Sequence, residues 1–464
     1  MFHLWQSKNP DSWFSVKPNE NGFLPVLKPL KSLQKPYKLV NDILELMKLS
    51  NPDSLLKQNK LAEYIRDNLP DYTDTIKKEL NKQILATLFR DYSFMASAYS
   101  LETSHYDLKE GIYGTAREEL PSNLAKPLKY LAEKLDSLPW LDYAYGYGLN
   151  NAIIKEGATD LGDYRSYETI RMFNGIESES GFINVHVAMN SYTPELLSIQ
   201  QKILVSANEI KTDDLNYFLN KHYYVLNSII ESLNQMWKAC KKSEYLSFRT
   251  FIMGQKGNKV MYPNEEIIFN LDKTKESHSY RGETGAQDSI IPSVDSLFQI
   301  KYPRNKLTEY LYDLRQYRPK DHQAYIEYNA KMSKIVDLVN LVKTNPECSL
   351  AFLKNLNCIR LFRRKHWNLT KKYIIENTKH PVATGGTPIT TWLPNQLGAT
   401  LETMKDIIET LEPKKHLLSE SDRNEYITLK LEVNEHLMKI MEEVNELQNE
   451  FTQQEHQSFL SRTI

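Results

Sequence analysis

The sequence predicts a mostly α-helical protein. Glycine accounts for only 16 of the 464 residues, well below the usual ~7%, which disfavours a turn-rich β architecture. Long segments repeat apolar residues at steps of three and four, the spacing of one helix face. The length and this pattern predict a smaller N-terminal helical domain (residues 1–139), a large helical domain (140–400) and a C-terminal helical extension (401–464) packed on it.

Three segments of the N-terminal region carry apolar residues at helical spacing. They are YKLVNDILELMKL, LNKQILATLFRDYSFMASAY and LPSNLAKPLKYLAEKLDSLP. Ser122 is the expected cap of the third helix, because a serine side chain can accept a hydrogen bond from the first helical turn. Pro139 ends this segment and is the expected boundary of the first domain.

Further helices are expected after Trp140, separated by loop-rich segments. They lie in SGFINVHVAMNSYTPELLSIQQKIL, LNYFLNKHYYVLNSIIESLNQMWKACKK and AKMSKIVDLVNLVKT. The last predicted helix runs from Ser421 to Leu460 and either packs on the main body or forms a coiled-coil dimer contact. Its apolar seam consists of Ile440, Val444, Leu447 and Phe451.

Charge and cysteine content restrict the class of protein. Lysine and arginine total 58 against 59 for aspartate and glutamate, a net charge of −1, so we expect no binding to nucleic acid or to a membrane. The three cysteines form no close pair, which excludes a disulfide framework and a zinc ribbon. No signal peptide is apparent, and no apolar stretch approaches the ~20 residues of a membrane span. A cytoplasmic protein is expected.

The stretch RLFRRKHWNLTKKYI, residues 360–374, places a histidine on the apolar face of a predicted helix. A neutral imidazole is a common ligand of haem iron, and an apolar wall suits a porphyrin. Arg363, one turn before His366, is placed to pair with a haem propionate. A core histidine beside a solvated basic face is the alternative. The apolar face consists of Ile359, Phe362, His366, Leu369 and Tyr373.

Two further segments contain candidates for a ligand pocket. His186 follows Phe182 by one turn in GFINVHVAM, and side chains at this spacing share a helix face. Arg249 lies among aromatic residues in EYLSFRTFIMG, where a guanidinium could hold a carboxylate at the end of an aromatic pocket. For His186, the alternative is a buried structural histidine. For Arg249, it is a structural salt bridge with the side-chain stem packed on aromatic rings.

The segment ATGGTP, residues 383–388, is a fourth candidate. Adjacent glycines let the backbone approach a ligand closely, and the hydroxyl of Thr384 can accept a hydrogen bond from an ammonium group. The segment lacks the Lys-Ser/Thr of a P-loop, so a nucleotide-phosphate site is not supported. A simple turn is the alternative.

Together, the order and spacing of these segments resemble the indoleamine 2,3-dioxygenase and tryptophan 2,3-dioxygenase superfamily, haem enzymes that open the indole ring of tryptophan. The resemblance runs from about Tyr143 to Leu393. The segments similar to the indoleamine branch are FRTFIMGQKGN, GETGAQDSIIPSVDSL, LYDLRQYRPKDHQAY, RRKHWNLTKKYI and ATGGT. The resemblance implies that the large domain binds haem.

The resemblance also implies a role for each matching residue. His366 would be the proximal ligand of the iron in haem b, and Arg363 a propionate partner. Arg249 would bind the carboxylate of the substrate and Thr384 its ammonium group. The residues implied to line the substrate side of the haem are Tyr143, Phe182, Tyr245 and Gly285.

The residues implied to lie on the distal side of the haem, opposite His366, depart from those of the indoleamine branch. That branch usually has a serine above the iron, whereas this chain has His186 in FINVH, which is similar to the Phe-Ile-x-x-His of the tryptophan branch. Tyr245, four residues before Arg249, is also the residue of the tryptophan branch. The resemblance therefore implies that His186 and Arg249 act in catalysis.

The implied activity is that of an oxidoreductase with dioxygen and L-tryptophan, or another indole-containing small molecule, as its partners. It is a haem-dependent dioxygenase that inserts O2 across the indole C2–C3 bond. A monomer or a small homo-oligomer is expected. One alternative is monooxygenation or rearrangement of a modified tryptophan in secondary metabolism by a haem enzyme of the same superfamily. The other is a non-catalytic haem protein with two axial histidines.

Overall fold

Helices dominate the protein, which confirms the predicted mostly α fold. The computed structural model describes residues 1–108, 113–302, 306–377, 383–386 and 389–439. The helices of the first half are α1 (Lys38–Met47), α2 (Leu61–Asn68), α3 (Thr73–Ile76), α4 (Lys82–Tyr106), α5 (Ser122–Leu135), α6 (Glu177–Asn190), α7 (Thr193–Asn208), α8 (Thr212–Asn234) and α9 (Met236–Ala239).

The second half continues with α10 (Lys242–Arg249), α11 (Ile290–Leu297), α12 (Lys306–Arg315), α13 (Lys320–Ile335), α14 (Leu338–Thr344), α15 (Pro346–Tyr373) and α16 (Ile389–Leu411). A last helix, α17, begins at residue 420 and continues to residue 439, the last residue that the structure describes. Among the described helices, none is both long enough and apolar enough to cross a membrane.

The strands are short and lie at the edges of the helical body. They are β1 (Glu119–Leu120), β2 (Ala152–Ile154), β3 (Tyr167–Thr169), β4 (Ile267–Asn270) and β5 (Lys275–His278). The first sheet has the order β1-β4-β5, with β1 parallel to β4 and β4 antiparallel to β5. The second is the antiparallel pair β2-β3, in which Ala152 lies opposite Thr169.

The 28-residue helix α15 runs through the core and packs against α8 and α16. On its predicted apolar face, Ile359, Leu369 and Tyr373 are buried, as the three-four spacing predicts, and Phe362 and His366 are half-buried. Polar groups inside this interface are paired: His222 of α8 contacts the side-chain oxygen of Asn355 at 2.7 Å, and the Asn355 amide donates to the carbonyl of Leu219 at 2.8 Å. These bonds fix α8 and α15 against each other.

The N-terminal residues pack on the body of the protein through buried hydrogen bonds. The Trp13 indole donates to Asn150 at 2.9 Å, and the backbone N–H of Val16 donates to Asp321 of α13 at 2.6 Å. Deeper in the molecule, buried Asp91 of α4 accepts from Arg90 and Arg171 at 2.9 and 2.8 Å. Burial of a carboxylate is tolerated here because two guanidinium groups compensate its charge.

Several predicted boundaries differ in detail. Ser122 is the first residue of α5 and does not cap it, because Pro121 occupies the capping position and no side chain there accepts a hydrogen bond. The predicted single helix over AKMSKIVDLVNLVKT divides into α13 and α14 at Asp337, whose φ of 50° interrupts the helical path. The predicted seam Ile440, Val444, Leu447 and Phe451 lies outside the described residues.

Candidate active site

Two adjoining cavities lie between α6, α15 and the loop before α11. The larger has a volume of about 400 Å³ and the smaller about 120 Å³. Both are lined by His186, Leu233, Gly285 and His366. The two candidate histidines therefore face a common space where the cavities meet.

His366 projects from α15 into this space. Its neighbours on the same helix face, Phe362 and Leu369, line the larger and the smaller cavity, respectively. Burial lowers the pKa of His366 to about 4, so the imidazole is neutral at pH 7. A neutral imidazole offers the nitrogen lone pair that a haem iron requires.

Cationic side chains also line the larger cavity. Arg363 is buried and donates to Asp295 at 2.6 Å, as well as to Tyr302 and Thr400. Arg318 is also buried and donates to the carbonyls of Asp288 and Ala286 at 3.0 and 2.7 Å. Its remaining nitrogen, Nη1, has no hydrogen-bond partner among the described residues.

These features fit a haem. The larger cavity combines a neutral histidine with an apolar wall, and Arg318 retains unused donor capacity for an anionic group such as a propionate. The apolar lining residues are Met189, Leu233, Ile291, Ile300, Leu311 and Phe362.

The smaller cavity has an aromatic wall. The ring centroids of Phe182 and His186 are 5.1 Å apart, and those of Phe182 and Tyr245 are 5.4 Å apart. Tyr373 of α15 meets Tyr245 edge-on at 5.6 Å. Such a wall suits a flat aromatic ligand, because ring pairs gain from edge-on and offset contacts beyond the area they bury.

Gly285 lies directly against His186. A Cβ atom at this glycine would be 3.2 Å from Cε1 of the His186 ring. A side chain at this position would therefore push on the imidazole, so the glycine lets the loop approach the histidine closely.

His186 is held by a buried polar network. Its Nδ1 lies 3.4 Å from the hydroxyl of Tyr143, which in turn donates to Asp288 at 3.0 Å. The Asn190 amide donates to the same Asp288 oxygen at 2.9 Å, and the backbone N–H of Ile290 donates to the other at 2.7 Å. Burial, with proximity to His366, lowers the pKa of His186 to about 4.

Tyr143 begins a π-helical turn, Tyr143–Tyr147, a conformation that is frequent at functional sites. Asp142 caps the turn by accepting from the N–H groups of Tyr145 and Gly146 at 2.7 and 3.0 Å. The side chain of Gln287 accepts from the N–H of Tyr143 at 3.0 Å and donates to the carbonyl of Gly282 at 3.0 Å. Gln287 thereby joins the turn to the loop that carries Gly285.

Arg249 ends α10, one turn after Tyr245, and is fully buried. It is not among the described residues that line the two cavities. Its guanidinium hydrogen-bonds to Tyr245, which opposes the rise in the pKa of the Tyr245 phenol that burial causes. The arginine therefore contacts the aromatic wall through Tyr245 without lining either cavity.

Thr384 lines the smaller cavity from the glycine loop. The loop is fixed at several points: the Thr384 carbonyl accepts from the N–H of Gly254 at 3.4 Å, and Arg281 donates to the carbonyl of Gly385 at 2.7 Å. Gly386 has a φ of +77° and packs on Lys256 so closely that a Cβ atom would lie 1.9 Å from the Lys256 carbonyl. Only glycine suits that position.

The sequence profile of the indoleamine 2,3-dioxygenase family matches residues 12–423. The chain belongs to the indoleamine 2,3-dioxygenase family. The enzyme of that name from Saccharomyces cerevisiae is 24% identical over 379 residues, which cover 78% of this chain and 79% of the yeast protein.

Two further relatives are similar at comparable distance. Indoleamine 2,3-dioxygenase nanC of Aspergillus nanangensis is 26% identical over 378 residues, covering 76% of this chain and 84% of that protein. Human indoleamine 2,3-dioxygenase 2 is 26% identical over 328 residues, which cover 66% of this chain and 77% of the human protein.

Membership in the indoleamine 2,3-dioxygenase family confirms the family and the enzyme class that the sequence motifs predicted. Members of this family are haem-dependent dioxygenases, so this chain is an oxidoreductase for which haem iron, dioxygen and a tryptophan-like substrate are expected.

Three residues of this site were not predicted from the sequence: Glu283, Asp288 and Arg318. Arg318 and Glu283 occur in segments that resemble the family, LYDLRQYRPKDHQAY and GETGAQDSIIPSVDSL, and Asp288 follows Glu283 in the second. Each is a charged residue in a loop or at a helix start, where solvent exposure is the usual expectation. Their burial follows from tertiary packing alone.

Proposed function

We propose that this member of the indoleamine 2,3-dioxygenase family inserts both atoms of dioxygen across the indole C2–C3 bond of L-tryptophan. The observation that carries the proposal is the smaller cavity, where residues distant in sequence converge beside His366. Its predicted lining residues are Phe182, His186, Tyr245, Gly285, His366 and Thr384.

The larger cavity would hold haem b. His366 would bind the haem iron, and Arg318 and Arg363 would pair with the propionates. Haem iron, when bound, supplies the dioxygen chemistry, while the protein supplies orientation and a dry site. The apolar lining and the buried position of both arginines support this assignment.

The smaller cavity would hold the substrate. We assign the carboxylate to Arg249, which requires the guanidinium to reach past Tyr245, and the ammonium group to the hydroxyl of Thr384. The rings of Phe182 and Tyr245 would confine the indole. Fixing both ends of the amino acid aligns the C2–C3 bond with the haem side of the cavity, and such orientation accounts for a large part of many rate enhancements.

His186 would orient the indole through its N–H group. Tyr143 has one hydroxyl hydrogen and donates it to Asp288. Its oxygen therefore acts as an acceptor toward Nδ1 of His186, as it does toward the Asn190 amide at 3.2 Å. This assigns the hydrogen to Nδ1 and leaves Nε2 as an acceptor. A neutral His186 with this tautomer accepts a hydrogen bond from the indole N–H.

Optical titration tests the proposed function. We expect L-tryptophan to shift the Soret band of the haem-loaded protein, because the substrate would bind beside the haem. A six-coordinate resting spectrum that L-tryptophan does not change, and that becomes five-coordinate in His186→Ser, would instead support a haem protein with two axial histidines.

Tyr143→Phe tests the orientation of His186. The substitution removes the acceptor for Nδ1–H, so Nε2 is no longer held as an acceptor for the indole N–H. Loss of one neutral hydrogen bond is worth about 1 kcal/mol, or roughly a fivefold change. We expect the Kd of L-tryptophan to rise by this factor, whereas that of 1-methyl-L-tryptophan, which has no indole N–H, stays the same. An equal change for both ligands would contradict the assignment.

A further inference from the structure

Glu283 is a buried acid for which the described residues supply no compensating partner. Its side chain is 2% exposed and forms no hydrogen bond or ion pair within the described part of the chain. Its Oε2 atom is inaccessible to solvent and has no hydrogen-bond partner there. A buried carboxyl group in this state costs free energy. An unpaired buried polar group is explained by strain, by a catalytic role, or by a bound water, ion or ligand.

The other buried acids of the described residues differ from Glu283. Each accepts at least two hydrogen bonds from backbone N–H groups or side chains; for example, Glu179 accepts from the N–H groups of Phe173 and Asn174 at 2.8 and 2.6 Å. Glu283 is thus the exception among the described buried acids. These other acids are Asp91, Glu102, Asp142, Glu179, Asp288 and Asp321.

The position of Glu283 points to the missing partner. Glu283 and Thr384 both line the smaller cavity, and their segments touch, since a Cβ atom at Gly282 would lie 2.6 Å from the Thr384 carbonyl. Glu283 and Arg249 both act electrostatically on Tyr245, in opposite directions. An acid and a cation therefore both act on one aromatic residue of the cavity lining, and this pair of charges complements the two charges of a free amino acid.

We propose that Glu283 binds the α-ammonium group of the substrate, together with the hydroxyl of Thr384. An ammonium group has three donors, and a carboxylate is its strongest neutral-pH acceptor among side chains. The inference rests on the proposed function and adds a specificity determinant to it. Glu283 selects free amino acids over indoles whose amine is absent or acylated.

The electrostatics of the free site agree with this assignment. Burial, reinforced by Asp142, raises the pKa of Glu283 to about 8, so the acid is largely neutral before a cation arrives. A neutral acid avoids most of the cost of a buried charge. Binding of the ammonium group would displace the proton of Glu283 to solvent, so that a carboxylate pairs with the ammonium.

Binding of three ligands to the haem-loaded enzyme tests the proposal. L-tryptophan carries both charges, indole-3-propionate lacks the amine and tryptamine lacks the carboxylate. For Glu283→Gln we expect the Kd values of L-tryptophan and tryptamine to rise roughly 10- to 100-fold, the range of a lost charge-assisted hydrogen bond. The Kd of indole-3-propionate should stay the same or fall.

Two further variants make the test specific. Glu283→Asp keeps the charge and is expected to retain part of the preference for an amine, even where the glutamine variant is poorly folded. Glu102→Gln is the matched control, because it changes a buried acid of α4 that does not line either cavity. It should leave the ratios of the three Kd values unchanged.

The possible failures are distinguishable. If the wild-type enzyme binds L-tryptophan but Glu283→Gln binds it equally well, or weakens all three ligands equally, the role of Glu283 is wrong and the proposed function stands. If the haem-loaded wild-type enzyme binds none of the three ligands, the proposed function fails and this inference fails with it.

Discussion

Replacing His366 by glycine is expected to abolish stable haem binding and all turnover. The substitution removes the nitrogen that would bind the iron and leaves only the apolar wall and the arginines to hold the porphyrin. Replacing a residue that only supports a metal ligand typically lowers metal affinity or activity ~10–100-fold. Loss of the ligand itself should lower haem affinity by more than this. The Soret absorbance per protein and the rate of L-tryptophan oxidation measure the result.

Added imidazole separates loss of a ligand from misfolding. We expect imidazole to restore part of the Soret band in His366→Gly, since it can occupy the space of the missing side chain. His278→Asn is the control, because His278 lies on β5 and lines neither cavity in the described structure, so this variant should keep haem loading and activity. Full haem loading and activity in His366→Gly would remove His366 from the iron site.

Replacing Arg249 by glutamine is expected to raise KM for L-tryptophan strongly. The variant removes the cation assigned to the substrate carboxylate, and loss of a hydrogen bond to a charged group costs about 1.5–3 kcal/mol, or roughly 10- to 150-fold in KM. Tryptamine has no carboxylate, so its Kd should stay nearly constant. Steady-state kinetics and ligand titration measure the two effects.

A surface arginine is the control for this substitution. Arg165 is exposed and pairs with Asp163 away from both cavities, so Arg165→Gln should leave KM and Kd unchanged. If Arg249→Gln binds L-tryptophan as tightly as the wild type, or weakens tryptamine to the same extent, Arg249 does not bind the carboxylate. Arg249→Lys adds a test of geometry, because lysine keeps the charge but lacks the planar fork.

The helical fold was predictable wherever one face of a segment is apolar over several turns. The stretch around His366 is the clearest example, since its three-four spacing corresponds to the buried face of α15. Breaks within such segments were not predictable. Asp337 interrupts a continuous apolar pattern through a left-handed backbone conformation, which depends on packing and not on the periodicity of the side chains. The proposed domain limits stay predictions.

The candidate site was predictable where residue types carry a recognisable chemistry in a recognisable order. The structure brings His186, His366, Gly285 and Thr384 to one cavity, although they are far apart in sequence. It pairs Arg249 with Tyr245 and Arg363 with Asp295. Glu283 could not be singled out from the sequence, because its importance lies in its burial and in the absence of a partner among the described residues.

The mass of the product tests the proposed reaction most directly. Ferrous, haem-loaded protein is incubated with L-tryptophan under air, and under isotopically labelled dioxygen as a parallel sample. We expect a product that has gained two oxygen atoms, both from the labelled gas. A gain of one oxygen atom, or a rearranged product without added oxygen, would contradict dioxygenation of the indole ring, as would unchanged L-tryptophan with haem fully bound.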